Sequence, residues 1–400
     1  RGTMNYKMTS FACFTGYIVQ AIVVNFVPLL FVMMQTDYGI TLAQITSMIT
    51  INFVIQLLTD MLSAGFVDKI GYRAAAVAAH IFAAAGLILL TILPGLFADA
   101  YVGIVISVVI YAVGGGLIEV LISPIIEACP SDNKEKAMSL LHSFYAWGQM
   151  GVVLLSTAFF AVFGIKNWKI LTLLWATIPV FNTFMFARVP IVSPGADGGA
   201  GLTIRQLFSS RAFRILMLMM MGAGASEQAV AQWASAFAEE GLGVNKTVGD
   251  LAGPMMFAAL MGTSRLIFGK YGDRLDLDKF MKYSCVLCVV CYLFIALIPS
   301  AAAGLIGCAV CGFSVGILWP GTFSKAAAAV KGGTALFAML ALGGDMGCSL
   351  GPTLAGAVSS YFGNNLRLGI LAAIIFPLVL LVCTLRPEVS IRNPKNAKQK

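Results

Sequence analysis

The stretch Ala64-Gly65-Phe66-Val67-Asp68-Lys69-Ile70-Gly71-Tyr72-Arg73, AGFVDKIGYR, is a tight charged turn set between two long apolar runs. A second turn of the same kind, GKYGDRLD at 269–276, carries Gly269, Asp273 and Arg274 and again joins two apolar runs. In each turn an acid and a base stand close enough to pair and to cap the helix ends they separate. The first copy follows the second apolar run of the chain and the other follows the eighth. Recurrence at matching positions predicts two equivalent halves of six helices each.

Composition sets the solvent in which those halves fold. Hydrophobic residues make up 59% of the 400 residues and charged residues 11%, with a mean hydropathy of +0.89. A soluble domain carries roughly a quarter charged residues, so this chain lacks the charge to wet its own surface. It reads as an all-α integral membrane protein. Apolar segments able to cross roughly 30 Å of hydrocarbon recur near residues 8–34, 41–64, 74–93, 99–128, 137–163, 169–188, 211–238, 248–268, 279–299, 302–328, 334–361 and 366–385. Twelve transmembrane helices are therefore expected: an N-terminal bundle at 4–190, a linker at 191–210, a C-terminal bundle at 211–390 and a tail at 391–400. The run from Met8 to Gln35 is too long for a signal-peptide core and has no small-residue cleavage site after it, so it reads as the first span.

Lys and Arg give the orientation. Nearly all of the 26 fall in segments on the side of the two termini, while Lys166, Lys169, Lys246 and Arg367 fall on the other and Arg265 lies within a span. Both termini are expected in the cytoplasm, in a cell inner membrane. The net charge of +8 is thus a topology signal and predicts no nucleic-acid partner. Cys285, Cys288 and Cys291, like Cys308 and Cys311, fall at helical spacing without a His or an acid beside them. They read as small buried hydrophobes rather than a metal site.

Three acids interrupt the oil. Glu119 lies in GGGLIEVLISPIIEACP (114–130), Glu227 in the seventh span and Asp345 in the eleventh, none with a base within a turn. A carboxylate facing lipid near mid-membrane costs about 2.5–3.5 kcal/mol on insertion scales. Such groups must face a cavity, pair across helices or stay protonated, and an acid that gains and loses its proton is what a proton-coupled carrier needs. Polar stripes accompany them: Asn52, Gln56 and Asp60 at i, i+4, i+8; His142, Tyr145 and Gln149 at i, i+3, i+7; and Gln228, Gln232 and Ser235 in the seventh span. With Gln20 and Asn25 of the first span, these residues are candidate ligands for solute hydroxyls. Tyr17, Tyr145, Trp147, Trp233 and Trp319 offer apolar faces to C–H groups. Asp60 and Arg265 stand eight residues before Asp68 and Asp273, with opposite charge at equivalent positions. They are expected, with Asp68, Arg73, Asp273 and Arg274, to serve as gate residues.

Asp68-Lys69-Ile70-Gly71-Tyr72-Arg73 resembles the loop signature of the major facilitator superfamily, whose second copy is weaker, as here. Ala64 stands where that family has a glycine. GGGLIEVLISP (114–124), LLHSFYAWGQMG (140–151), EQAVAQW (227–233) and GFSVGILWPGTFS (312–324) are similar to its fucose–galactose–proton symporter branch. The resemblance implies that Glu119 is the span-4 glutamate used for sugar and proton. That branch also carries a first-span aspartate before a proline, and Asn25 stands in the corresponding VVNFVP.

The expected function is secondary active transport of a small polar solute, a sugar first, by proton-coupled alternating access, in a monomer. The coupling acids are Glu119, Glu227 and Asp345. Two alternatives stay open: export of amphipathic drugs or lipids, and sodium-coupled sugar uptake. No HExxH, GxSxG or GxxxxGK[ST] pattern is present, so neither an enzyme, a cofactor nor a nucleotide-driven pump is expected.

Overall fold

The computed structural model describes residues 5–130, 134–192, 202–272, 274–330 and 334–391. Long helical stretches follow one another as α1 (Tyr6–Tyr38), α2 (Leu42–Ile70), α3 (Tyr72–Leu90), α4 (Ala100–Ala128), α5 (Lys134–Phe163), α6 (Trp168–Arg188), α7 (Arg211–Ala236), α8 (Lys246–Tyr271), α9 (Leu277–Leu297), α10 (Ala301–Val315 continued by Leu318–Ala329), α11 (Thr334–Tyr361) and α12 (Leu366–Thr384). Most starts carry the side-chain cap that helix termini need. Thr41 and Gln44 form a capping box before α2, and Asp99, Ser210, Ser300 and Asn365 cap α4, α7, α10 and α12. The chain is a multi-pass membrane protein, and all nine cysteines are buried and unbridged.

Among the described residues, ten segments are long and apolar enough to cross a membrane, against the twelve expected. α7 and α11, 26 and 28 residues long, are not among them: α7 is too polar, and the start of α11 lies partly outside the described residues. Ser226, Glu227, Gln228, Gln232 and Ser235 of α7 and Asp345 and Ser349 of α11 are all buried.

The packing repeats between the halves. α1 packs on α4 and α5, α2 on α4, and α3 on α4 and α6; α7 packs on α10 and α11, α8 on α10, and α9 on α10 and α12. Across the halves, α2 lies along α11 and α5 along α8, which are equivalent pairs under exchange of the halves. α2 and α11 run antiparallel. Thr46 of α2 meets Gly356 of α11, Thr50 bonds Thr353, and Asp60 reaches Asp345.

Backbone-to-backbone contact fixes the inner helices. A Cβ on Gly347 would sit 2.0 Å from the Met221 carbonyl oxygen, and one on Gly351 2.3 Å from that of Ala225. Gly312 meets the Phe257 carbonyl in the same way, at 2.0 Å. Gly343, four residues before Gly347, meets first the flexible end of the Met217 side chain, at 3.1 Å. In the turn between α2 and α3, Gly71 holds φ at +87°, a backbone region that disfavours residues with a Cβ. Arg73 donates at 3.0 Å to the carbonyls of Phe186 and Ala187, so it caps the end of α6. The Asp68 side chain and Asp273, expected partners in the two turns, lie outside the described residues, as do residues 193–201 of the expected linker and 392–400 of the expected tail.

The glycine contacts separate two substitutions at neighbouring positions. Gly347→Val forces backbone apart and is expected to destabilise by roughly 1–3 kcal/mol or more, whereas Gly343→Ala is expected to melt with the parent. Thermal unfolding in detergent, followed by loss of the monodisperse peak, checks both.

Candidate functional site

The site is built where helices lose their own hydrogen bonds. Pro28 has no N–H, so the Val24 carbonyl one turn earlier loses its helical donor. Gln232 of α7 supplies one from the other half, with Nε2 donating to Val24 O at 3.2 Å and to Gln228 Oε1 at 3.0 Å. In the second half α10 breaks between Val315 and Leu318, and Arg265 Nε donates to Gly316 O at 3.0 Å. Trp233, fully buried, donates its indole N–H to Pro352 O at 2.9 Å. Its ring packs against Phe31 of the first half.

Amides continue the interior of the first half. Gln20 Nε2 donates to Gln56 Oε1, and Gln56 Nε2 to Asn52 Oδ1, each at 3.0 Å. Asn25 Nδ2 reaches the Tyr145 hydroxyl at 3.4 Å and the Ala21 carbonyl at 2.9 Å. Gln20 Oε1 and Gln149 Oε1 are buried acceptors without a partner among the described residues. Gly115 and Gly116 of the triple glycine admit this layer: a Cβ on Gly115 would lie 2.8 Å from Gln20 Oε1, and one on Gly116 2.9 Å from the Gln56 carbonyl. The acid-bearing α4 approaches α1 and α2 because those positions have no side chain. Tyr17 and Ser123, whose pairing the sequence did not reveal, bond across α1 and α4 at 2.8 Å.

One turn along from Gly115 and Gln56, at i+4 on each helix, stand Glu119 and Asp60. Together with Asp345 of the other half they bring three carboxylates together, one oxygen from each lying within 4.8 Å of the others. Asp345 is buried; Asp60 and Glu119 are half-buried. Asp60 and Asp345 are within hydrogen-bonding reach of each other. Two ionised carboxylates repel at that separation, so the contact requires a shared proton or a cation. Asp60 Oδ1 and Asp345 Oδ2 are buried and have no further partner among the described residues.

Asp60 and Arg265, both expected as gate residues, form no ion pair among the described residues: Asp60 stands with the acids and Arg265 bonds the broken helix. Arg265 also acts electrostatically on Glu227 and His142, and Glu227 is buried on α7 close enough to act on Glu119. Trp319 packs its ring against Gly344, next to Asp345, where a Cβ would come within 2.2 Å of the indole. Arg274 is exposed and forms no ion pair among the described residues. Sequence reasoning passed over Lys246, which bonds both halves at once; its only signal is the i, i+4 spacing to Asp250.

The architecture has close counterparts among solved structures. A D-xylose-proton symporter aligns with a TM-score of 0.75 at 12% identity, covering 97% of this chain and 99% of that one. A bacterial homologue of the human lysosomal transporter Spinster, inward-facing and occupied, gives 0.74 at 13%, covering 96% and 97%. A single-substitution variant of the Escherichia coli fucose:proton symporter FucP gives 0.65 at 15%, covering 95% and 98%. No curated protein matches the sequence. The family model described as Major Facilitator Superfamily matches residues 10–340, and the chain, a membrane transporter with packing repeated between its halves, belongs to that superfamily.

Proposed function

We propose that the protein moves a small polar solute, a sugar first, across the inner membrane by proton-coupled alternating access. In this reading α7 and α11 complete twelve spans, both termini are cytoplasmic, and bundles 4–190 and 211–390 rock about the midplane. The observation that carries the reading is the meeting of Asp60, Glu119 and Asp345 across the two halves. Closing the halves drives like charges together, so a proton bound there stabilises the closed contact and its loss favours separation. Glu227 is the second-half acid through which Arg265 tunes the same field.

A sugar is supported by the amide layer of Gln20, Asn52, Gln56, Gln228 and Gln232, with orphan acceptors at Gln20 and Gln149 for solute hydroxyls. Trp319 offers a ring face beside the acids. Two of the similar structures are named as sugar–proton symporters. Sodium coupling is the second reading. Oxygens bound to a hard cation at about 2.3–2.6 Å can stand as far apart as those of the acid cluster.

Reconstituted protein is expected to take up protons when a sugar gradient is imposed, and replacing sodium by choline is expected to leave that signal intact. A signal that disappears with sodium assigns coupling to sodium instead. Asp345→Asn is expected to lose accumulation by about tenfold or more, because one carboxyl can no longer change charge, while solute exchange down its gradient persists. Glu119→Gln is expected to behave in the same way, and normal accumulation in either variant removes that residue from the coupling site. Asp60→Asn is expected to reduce accumulation more than exchange, which separates membership of the acid cluster from a simple gate role.

A further inference from the structure

The end of the bundle opposite the termini holds a second charged group, remote from the acid cluster. Lys246, at the start of α8, places Nζ 2.8 Å from Asp250 Oδ2, 3.3 Å from Glu239 Oε1 and 3.4 Å from Ser235 Oγ, all within the second half. The same ammonium donates at 2.7 Å to the Leu29 carbonyl of α1 and lies 5.8 Å from the centre of the Phe160 ring of α5, both in the first half. Asp250 is fully buried and accepts a further bond from Ser235 at 2.6 Å. Glu239 is the lesser partner, since burial pushes its carboxyl above the usual range while Lys246 draws it back.

These partners differ in what it costs to leave them. Separating Lys246 from Asp250 strands a buried charge, which is expensive. Releasing the Leu29 carbonyl and the Phe160 ring breaks one charge-assisted bond and one cation–π contact, and the ammonium keeps its counter-ion. The inner pair is therefore permanent and the outer contacts exchangeable. Around them the halves meet through other uncharged contacts: Gln232 on Val24 O, Phe31 against Trp233 with ring centres 5.9 Å apart, and Thr50 on Thr353.

We propose that Lys246, held by Asp250, is the latch of the gate at the end away from the termini, and that the Leu29 carbonyl and Phe160 ring are the contacts it releases when that gate opens. Opening then swaps the carbonyl for water without unpairing any buried charge. The inference rests on the alternating-access reading but on neither its solute nor its ion.

The test needs no solute. A cysteine is placed at Thr353, in the contact between α2 and α11 at the latch end, and its reaction with a bulky polar maleimide is timed in detergent-solubilised full-length protein. The nine native cysteines are buried, and the protein without the added cysteine supplies the background. Lys246→Met combined with Asp250→Asn removes both charges of the inner pair and leaves only Glu239, the lesser and partly exposed partner, without its cation. It is expected to raise the labelling rate about tenfold by shifting the population toward the open gate. Phe160→Leu, which keeps the ion pair, is expected to give a smaller rise, and it serves alone if the double variant does not run as a single species. A rate equal to that of the parent in whichever of these variants elutes as one monodisperse species overturns the latch. Because the readout is independent of transport, that result leaves the proton-coupling reading standing.

Discussion

Three carboxylates share one small space at the contact between the halves, and this constraint organises the rest of the structure. One oxygen from each of Asp60, Glu119 and Asp345 lies within 4.8 Å of the others, and none of the three forms an ion pair among the described residues. An arrangement of this kind cannot hold all its charges at once. The helices around it are shaped to bring it about. Gly115 and Gly116 let α4 reach α1 and α2, and Gly347 and Gly351 press α11 onto α7. Asp345 thereby faces the acids of the first half and not lipid.

The same economy governs the neutral polar groups. Proline and broken helices free backbone carbonyls, and side chains from a neighbouring helix take them up: Gln232 for Val24, Arg265 for Gly316, Lys246 for Leu29. In a membrane each freed carbonyl would otherwise be costly. Two of these three bonds join the halves, so irregular backbone becomes the material from which the interface is made. At the terminal end a different device holds the second half to itself. Lys325, fully buried, pairs with Asp278, whose other oxygen accepts from Ser390 at 2.8 Å and the Ile391 amide at 2.9 Å. Arg73 does the equivalent work in the first half by capping α6, with the opposite charge at the start of the equivalent helix.

Much of this was legible in the residues. Apolar runs located the helices to within a few positions, because a span has to be continuous and a turn has to be polar. The isolation of Glu119 and Asp345 in oil marked them as groups needing a special environment. What periodicity could not give was which acids from different helices meet. Asp60 and Arg265 stood out only as opposite charges at equivalent repeat positions; what each meets is set by where α10 breaks and how closely α2 and α11 pack. Trp233, expected to offer a face to solute, is buried with its ring against Phe31 and its N–H on the Pro352 carbonyl. Lys246 looked like a loop cation because its partners, Leu29 and Phe160, are more than eighty residues away in the chain. The polarity that sets α7 apart from the other spans lies in residues buried in the interior.

The most direct test of the central claim is spectroscopic. Infrared difference spectra of purified protein in sodium-free buffer near neutral pH, taken against Asp345→Asn and Asp60→Asn, report the carbonyl stretch of any protonated carboxylic acid. A shared proton predicts a carboxylic-acid band that both substitutions remove or shift. A spectrum in which all three acids are ionised and no such band is present contradicts it.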